Sequence, residues 1–150
     1  MIALIQRVAE ARVEIGGETV GAIGRGILAL VGVERADGAA EAARLAEKVL
    51  AYRIFPDAEG KMNLSLLDTK GELLAVPQFT LAADTRSGTR PGFSSAAAPG
   101  VGELLFKNFV EKLKPRIKLQ TGRFGADMKV SLVNDGPVTF WLQVSPKPPS

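Results

Sequence analysis

Gln78, Phe79 and Thr80 end an apolar run of strand length and stand directly before a long basic loop. A strand end releases backbone amides from the ladder, and amides aimed at a reacting carbonyl hold a developing oxyanion. Thr80 adds a hydroxyl, but a threonine nucleophile needs a neighbouring base. The chain has no His and no Cys. That excludes a Ser-His-Asp triad, a Cys-His dyad, zinc held by His or Cys, and any disulfide framework. Catalysis must then use backbone amides, hydroxyls, carboxylates, lysines or the substrate itself. The backbone of Phe79 and Thr80 is the better candidate than the Thr80 hydroxyl. The structural alternative is a plain strand terminus with Phe79 in the core.

Asn134-Asp135-Gly136-Pro137 is the second such group, set between two strand-like runs. Asp-Gly is a favoured hairpin pair, so a simple turn is the bland reading. Pro137 complicates it, because proline donates nothing to a ladder and restricts the residue before it. Only about 5–6% of X–Pro bonds in folded proteins are cis, so on physics alone a cis bond here is the minority outcome. In either isomer a Gly-Pro corner presents fixed carbonyl oxygens to whatever docks there.

Other chemistry is missing. Gly24-Arg25-Gly26 resembles a dinucleotide fingerprint by its letters, but it leads into a β run and offers no helix N-terminus to a pyrophosphate. There is no P-loop, no Gly-x-Ser-x-Gly elbow and no zinc signature. Asp and Glu are scattered without metal-ligand spacing, so neither a metal nor a cofactor is expected.

The elements that must position these residues follow from periodicity. Residues 1–8, 11–15 and 18–23 read as strands, with Gly16-Gly17 as a hairpin turn. The apolar run 27–33 suits a central strand buried on both faces. Asp37 looks like an N-cap for a helix over 38–52, with Ala42, Leu45, Ala46, Val49 and Leu50 inward and Glu41, Arg44, Glu47 and Lys48 outward. Residues 64–67 and 73–81 read as strands. A loop over 82–98 carries Arg86 and Arg90. A second helix over 100–114 has Val101, Leu104, Leu105, Phe109 and Leu113 as its core face, and Pro115 stops it. Residues 117–120, 128–132 and 138–144 complete the strands, and 145–150 form a Pro-rich tail expected to fray.

These elements predict one α/β domain over 1–150, with mixed β-sheets and two main helices packed on one side in a three-layer β/β/α sandwich. At 150 residues the chain can build a core without staples. No signal peptide or apolar span is visible, so a cytoplasmic protein without membrane contact is expected. Net charge is +3 but uneven. Residues 1–75 hold 9 Lys+Arg against 11 Asp+Glu, and residues 76–150 hold 10 against 5. That asymmetry points to an anionic partner for the second half, with a solvated basic face as the equal alternative.

A longer ordered set of segments carries a resemblance. Ile5-Gln6-Arg7-Val8, the run from Gly60 to Leu66 (GKMNLSL), Gln78-Phe79-Thr80-Leu81 with Ala83-Asp84-Thr85-Arg86, the run from Gly122 to Met128 (GRFGADM), and Val130-Ser131-Leu132-Val133 leading into Asn134-Asp135-Gly136-Pro137-Val138-Thr139 closely resemble the D-aminoacyl-tRNA deacylase family. The match covers nearly the whole chain. It implies a homodimeric hydrolase that cleaves the ester joining a D-amino acid, or glycine mischarged on tRNA(Ala), to the tRNA 3′ adenosine. It implies a cis Gly136-Pro137 bond whose carbonyls enter the partner subunit's pocket, hold the substrate amino group and leave no room for an L side chain. Asn134 belongs to that motif. By the same resemblance the amides near Phe79 and Thr80 stabilise the oxyanion, Gln78 shapes the site, and the tRNA 2′-OH assists. Phe124 and Met128 would line the adenosine pocket, with Arg86 and Arg90 meeting tRNA.

Pro77 departs from the family pattern, which has Ser there, so a hydroxyl and an N–H are absent. A related animal group with relaxed chirality also has Pro at this position, but with Ala in place of Phe79 and a trans Gly-Pro. Phe79 and Asn134-Asp135 side with the D-specific group. The competing classes are a non-catalytic RNA-binding module and a purely structural oligomer. Aromatic residues make up only 6% of the chain, which is sparse for single-strand stacking platforms.

Overall fold

The computed structural model describes residues 1–148. The strands are β1 (Ile2–Ile15), β2 (Glu18–Ile23), β3 (Gly26–Gly32), β4 (Phe55–Pro56), β5 (Met62–Leu64), β6 (Glu72–Pro77), β7 (Lys118–Thr121) and β8 (Lys129–Gln143). The helices are α1 (Ala39–Ala51), α2 (Leu66–Thr69) and α3 (Pro99–Leu113), with a 3-10 turn over Phe79–Ala82. One sheet runs β2-β1-β3-β6-β7, with β8 pairing along β1, and β4-β5 form a separate ribbon. The β3–β6 and β6–β7 pairs are parallel and the others antiparallel.

Side-chain alternation on β3 and β6 builds two cores. Ile27, Ala29, Val31, Leu73 and Ala75 face α1 and α3. Leu28, Leu74 and Val76 face the other way, against Val8, Val13, Ile23 and the inner residues of β8. Successive strand residues point to opposite faces, so a strand covered on both sides must be apolar throughout. The sheet folds over itself to supply the second cover. This gives the expected helix layer and two β layers. Gly21 permits the closure, since a Cβ there would stand 3.1 Å from the Thr121 carbonyl oxygen and 3.3 Å from Leu74 Cδ1.

Several expectations need correction. The runs 1–8 and 11–15 are one strand, bulged between Gln6 and Val8 and again between Val8 and Glu10. The bulges switch β1 from the helix core, reached by Ala3 and Ile5, to the second core, reached by Val8 and Val13. At the first irregularity the extra residues, 135–138, are on β8; at the second β1 carries one, Ala9, and that single insertion shifts its facing pattern. The runs expected over 128–132 and 138–144 likewise fall on one strand, β8 over Lys129–Gln143, so Asn134-Asp135-Gly136-Pro137 protrudes from β8 rather than turning a hairpin. The Gly136-Pro137 bond is cis.

Of residues 64–67 only Leu64, the end of β5, is in a strand. Ser65 caps α2, its hydroxyl accepting from the Asp68 N–H at 3.1 Å while Asp68 accepts from the Ser65 N–H at 2.8 Å. Residues 78–81 also leave the strand for the 3-10 turn. Gly38, not Asp37, is the N-cap of α1, and Glu41 is buried because its carboxylate accepts from the Gly38 N–H at 2.8 Å. The Asp37 carboxylate instead accepts from the Met1 amino nitrogen at 2.9 Å and the Glu34 N–H at 2.7 Å.

The buried face of α3 is Gly102, Leu105, Phe106, Phe109, Val110 and Leu113, which leaves Val101 and Leu104 exposed. Adjacent leucines at 104 and 105 make the facing ambiguous from sequence, and the contact between Gly102 and the Phe124 ring decides it. Residues 145–148 carry no regular structure, and the last two residues of the expected tail lie outside the described residues. Among the described residues no helix is long and apolar enough to cross a membrane.

Candidate functional site

The chain leaves the sheet at Gln78. Its N–H donates to the Val31 carbonyl at 2.8 Å, extending the β3–β6 pairing by one residue. The 3-10 turn then folds back over the end of β3, with Leu81 N–H donating to the Gln78 carbonyl at 3.2 Å. Gly32 allows that fold, because a Cβ there would lie 2.9 Å from Leu81 Cβ. The first amides of a helical turn have no partner within it. Neither the Phe79 nor the Thr80 N–H donates to any acceptor among the described residues. The Gln78 side-chain amide donates to the Thr80 hydroxyl oxygen, so that hydroxyl is tied to its neighbour rather than to a base.

The turn borders an apolar cavity of about 220 Å³, walled by Val31, Pro77, Phe79, Phe106 and Phe124. A second hollow of about 540 Å³ shares Phe79 and Pro99 with it and adds Arg35 and Phe93. Phe79 is 58% exposed and is not a core residue. Its ring leans on Phe93 at 5.3 Å and 44°. Pro77 is buried in the wall, where it offers neither a hydroxyl nor an N–H.

The structure therefore brings Gln78, Phe79, Thr80 and Phe124 together. Met128 is outside the cavity lining. It packs with the second core, against Gly122, where an added Cβ would stand 2.7 Å from its sulfur. Arg86 is held by Asp84 through two side-chain bonds of 2.9 Å. The Asp84 carboxyl is lowered to about 2, first by the Arg86 side-chain hydrogen bond and then by the Arg86 N–H. Reciprocal backbone bonds between Asp84 and Gly92, at 2.7 and 3.0 Å, pinch the loop that carries the exposed Arg90.

Asn134, Gly136 and Pro137 stand elsewhere. The Asn134 side chain spans their protrusion, accepting from the Val138 N–H and donating to the Thr139 hydroxyl oxygen, both at 2.8 Å. Gly136 has φ +144°, and a Cβ there would meet Val138 Cγ2 at 2.6 Å. Arg7 braces the same loop. Its Nε donates to the Asp135 carbonyl at 3.0 Å and its Nη1 to the Ile54 carbonyl at 2.7 Å. Sequence reasoning did not single out Arg7, although an arginine among apolar strand residues, placed for the family segment Ile5-Gln6-Arg7-Val8, was the available signal. Arg7 pairs with Ile27 on β3, whereas Gln78 bonds to Val31. Four residues of strand separate those points, about 13 Å. The protrusion and the cavity thus lie toward opposite ends of β3, the protrusion standing at mid-length of β1 and β8.

The fold and the site define a small three-layer α/β domain with an amide-bearing turn on an apolar cavity. The family model described as D-Tyr-tRNA(Tyr) deacylase matches residues 4–143. A D-aminoacyl-tRNA deacylase of Thioalkalivibrio sulfidiphilus is 63% identical over 147 residues, covering 97% of this chain and 99% of the relative. One from Haemophilus influenzae is 56% identical over 144 residues, covering 96% of this chain and all of the relative. The solved structure titled c-Myc DNA Unwinding Element Binding Protein superposes with a TM-score of 0.92 at 38% identity, covering 97% of this chain and all of that one. A probable eukaryotic D-amino acid tRNA deacylase, 17% identical with a TM-score of 0.82 over 95% of this chain and 98% of that one, shares the fold. The chain belongs to the D-Tyr-tRNA(Tyr) deacylase family and is, with its relatives, a hydrolase.

Proposed function

We propose that this protein acts in the cytoplasm as a homodimer that hydrolyses D-aminoacyl-tRNA, and glycyl-tRNA formed on tRNA(Ala), while rejecting L-aminoacyl-tRNA. The observation that carries this reading is the pair of unpartnered amides at Phe79, which lines an apolar cavity, and at Thr80 beside it in the same turn. An aminoacyl ester is already activated, so positioning and oxyanion stabilisation suffice without a strong protein base. Water adds to the ester carbonyl, and the tetrahedral oxyanion accepts from the two amides. Collapse breaks the bond to the 3′ oxygen of the adenosine, which takes up the proton released by the water. The tRNA 2′-OH assists that transfer. Free amino acid and tRNA leave. One oxyanion donor contributes roughly 10²–10³ in rate.

Phe124 gives the adenosine a face to stack on, and Met128 supports the wall from behind Gly122 and Pro77. Arg86 and Arg90 project from the adjoining loop toward tRNA phosphates. Gly136 and Pro137 supply the stereochemical filter by occupying the space an L side chain needs, with Asn134 holding the loop. Glycine, having no side chain, passes that filter. The separation of protrusion and cavity within one chain supports action in the partner's cavity. Pro77, shared with the relaxed-chirality group, supports a second reading in which the filter is looser.

A D-tyrosyl-adenosine analogue with an amide in place of the ester separates these readings. The D form should bind and the L form should not, and equal binding would favour the looser filter. Mixing variants tests the partner arrangement. Gly102→Leu should fill the cavity, and Pro137→Ala should cleave the L ester. Adding the first variant to the second should suppress L cleavage, because the composite site receives an intact Pro137. No suppression would place the loop's action in its own chain.

A further inference from the structure

The short basic tract at the end of α3 is used by none of the chemistry above. Lys112, Lys114, Arg116 and Lys118 alternate at every second residue. The turn holding them is closed by the Arg116 and Ile117 N–H groups, which both donate to the Leu113 carbonyl at 3.0 and 3.3 Å. Lys114, Arg116 and Lys118 line a hollow of about 400 Å³ together with Lys70, and no acidic residue lines it. Lys70 has φ +53° and is the sole non-glycine residue with a left-handed backbone among the described residues.

Glu111, Glu47 and Glu72 approach Lys114, Arg116 and Lys118 from outside the hollow. These ion pairs are exposed and hold their cations weakly. The helix dipole accounts for Lys112 in the last turn of α3 and Lys114 at its C-cap. It does not account for Arg116, Lys118 or Lys70. Four cations around one concavity suit a polyanion whose charges are spaced along a chain.

We propose that this hollow docks the phosphodiester backbone of the tRNA away from its 3′ end, an inference that rests on the deacylase reading for the choice of polyanion. Gly102 lines the cavity and Lys114 lines the hollow, and both lie on α3 or at its C-cap. The 12-residue step from one to the other spans roughly 18 Å of helix. A few nucleotides cross that distance, so a tRNA with its terminal adenosine in the cavity can reach the hollow with its backbone phosphates. Each neutralised phosphate adds affinity that depends on salt and carries no sequence information.

The test compares the native protein with Lys114→Gln/Arg116→Gln/Lys118→Gln. Three substrates are used: full-length D-tyrosyl-tRNA, D-tyrosyl-adenosine, and uncharged tRNA in a binding assay. For the full-length substrate KM should rise about tenfold near physiological salt. The slope of log KM against log salt should fall by roughly 0.7–0.9 for each phosphate left without its cation. Cleavage of D-tyrosyl-adenosine should be unchanged. Lys70→Gly keeps the left-handed turn, removes one cation, and should reduce the slope by about the share of one phosphate.

An unaltered KM and salt slope in the folded triple variant would overturn the proposal, as would equal loss on both charged substrates. Uncharged tRNA requires no cleavage. If the native protein cleaves nothing yet binds uncharged tRNA through these cations, the deacylase reading fails and the docking surface stands. If it binds uncharged tRNA no better than the triple variant does, the docking surface fails.

Discussion

Replacing Arg7 with alanine removes the brace between the protrusion of β8 and the segment after α1. Two hydrogen bonds from a charged donor disappear, to the carbonyls of Asp135 and Ile54. A bond to a charged group contributes about 1.5–3 kcal/mol. The Asp135 end is exposed and water replaces much of it, whereas the Ile54 end is half-buried and the Arg7 side chain is only 13% exposed. The expected loss is therefore about 3 kcal/mol, toward the lower bound of two such bonds. For a chain of this length that lowers Tm by about 6–12 °C at fixed protein concentration. Arg7→Lys keeps the charge but cannot reach both carbonyls from one planar fork, so it should fall between. The functional readout is the ratio of D- to L-tyrosyl-tRNA cleavage below the new transition temperature. Freeing the loop that excludes L substrates should reduce that ratio at least tenfold, equivalent to about 1.4 kcal/mol. A variant that loses stability as stated but keeps the native ratio would refute the positioning role. A variant that loses no stability would show that water replaces both bonds.

Other outcomes follow from the same structure. Thr80→Ala should keep substantial activity, because its amide and not its hydroxyl is assigned the chemistry; complete loss in a folded variant, read by single-turnover hydrolysis, would reverse that assignment. Pro137→Ala should weaken chiral discrimination more than folding, measured as the D:L ratio beside Tm. Phe109→Ala, wholly buried on the inward face of α3, should cost about 3–5 kcal/mol in urea unfolding. The Asp84 carboxyl lies below its ordinary 3.8, at about 2. A depressed carboxyl stabilises the folded form fully above 3.8 and loses that contribution as pH falls toward 2. Pepsin cleavage of the loop over 84–92 should therefore increase between about pH 4 and pH 2, and Asp84→Asn should abolish that difference.

Much of this architecture is legible in the sequence where one constraint acts alone. The Gly16-Gly17 turn, the twice-buried β3 and the inward face of α1 follow from local spacing, and all are present. The errors arise where a second interaction competes. Glu41 reads as a solvent residue until its bond to the Gly38 N–H is seen. Two runs became one β1 because the bulges near Val8 let a single strand serve both cores. The α3 face turned because Phe124, distant in sequence, packs on Gly102.

The site shows the same division. Gln78, Phe79 and Thr80 stand out from the strand end and the missing histidine, and the turn that frees their amides depends on Gly32. Arg7 does not stand out, because its partners, Asp135 and Ile54, lie 128 and 47 residues away. Nothing local announces an interaction of that range.

The most direct test of the proposed activity is hydrolysis of D-tyrosyl-tRNA and L-tyrosyl-tRNA by the native protein under identical conditions. The predicted result is release of free D-tyrosine while the L ester survives at its spontaneous rate. An intact D ester would contradict the deacylase reading, and equal cleavage of both esters would contradict exclusion by Gly136 and Pro137.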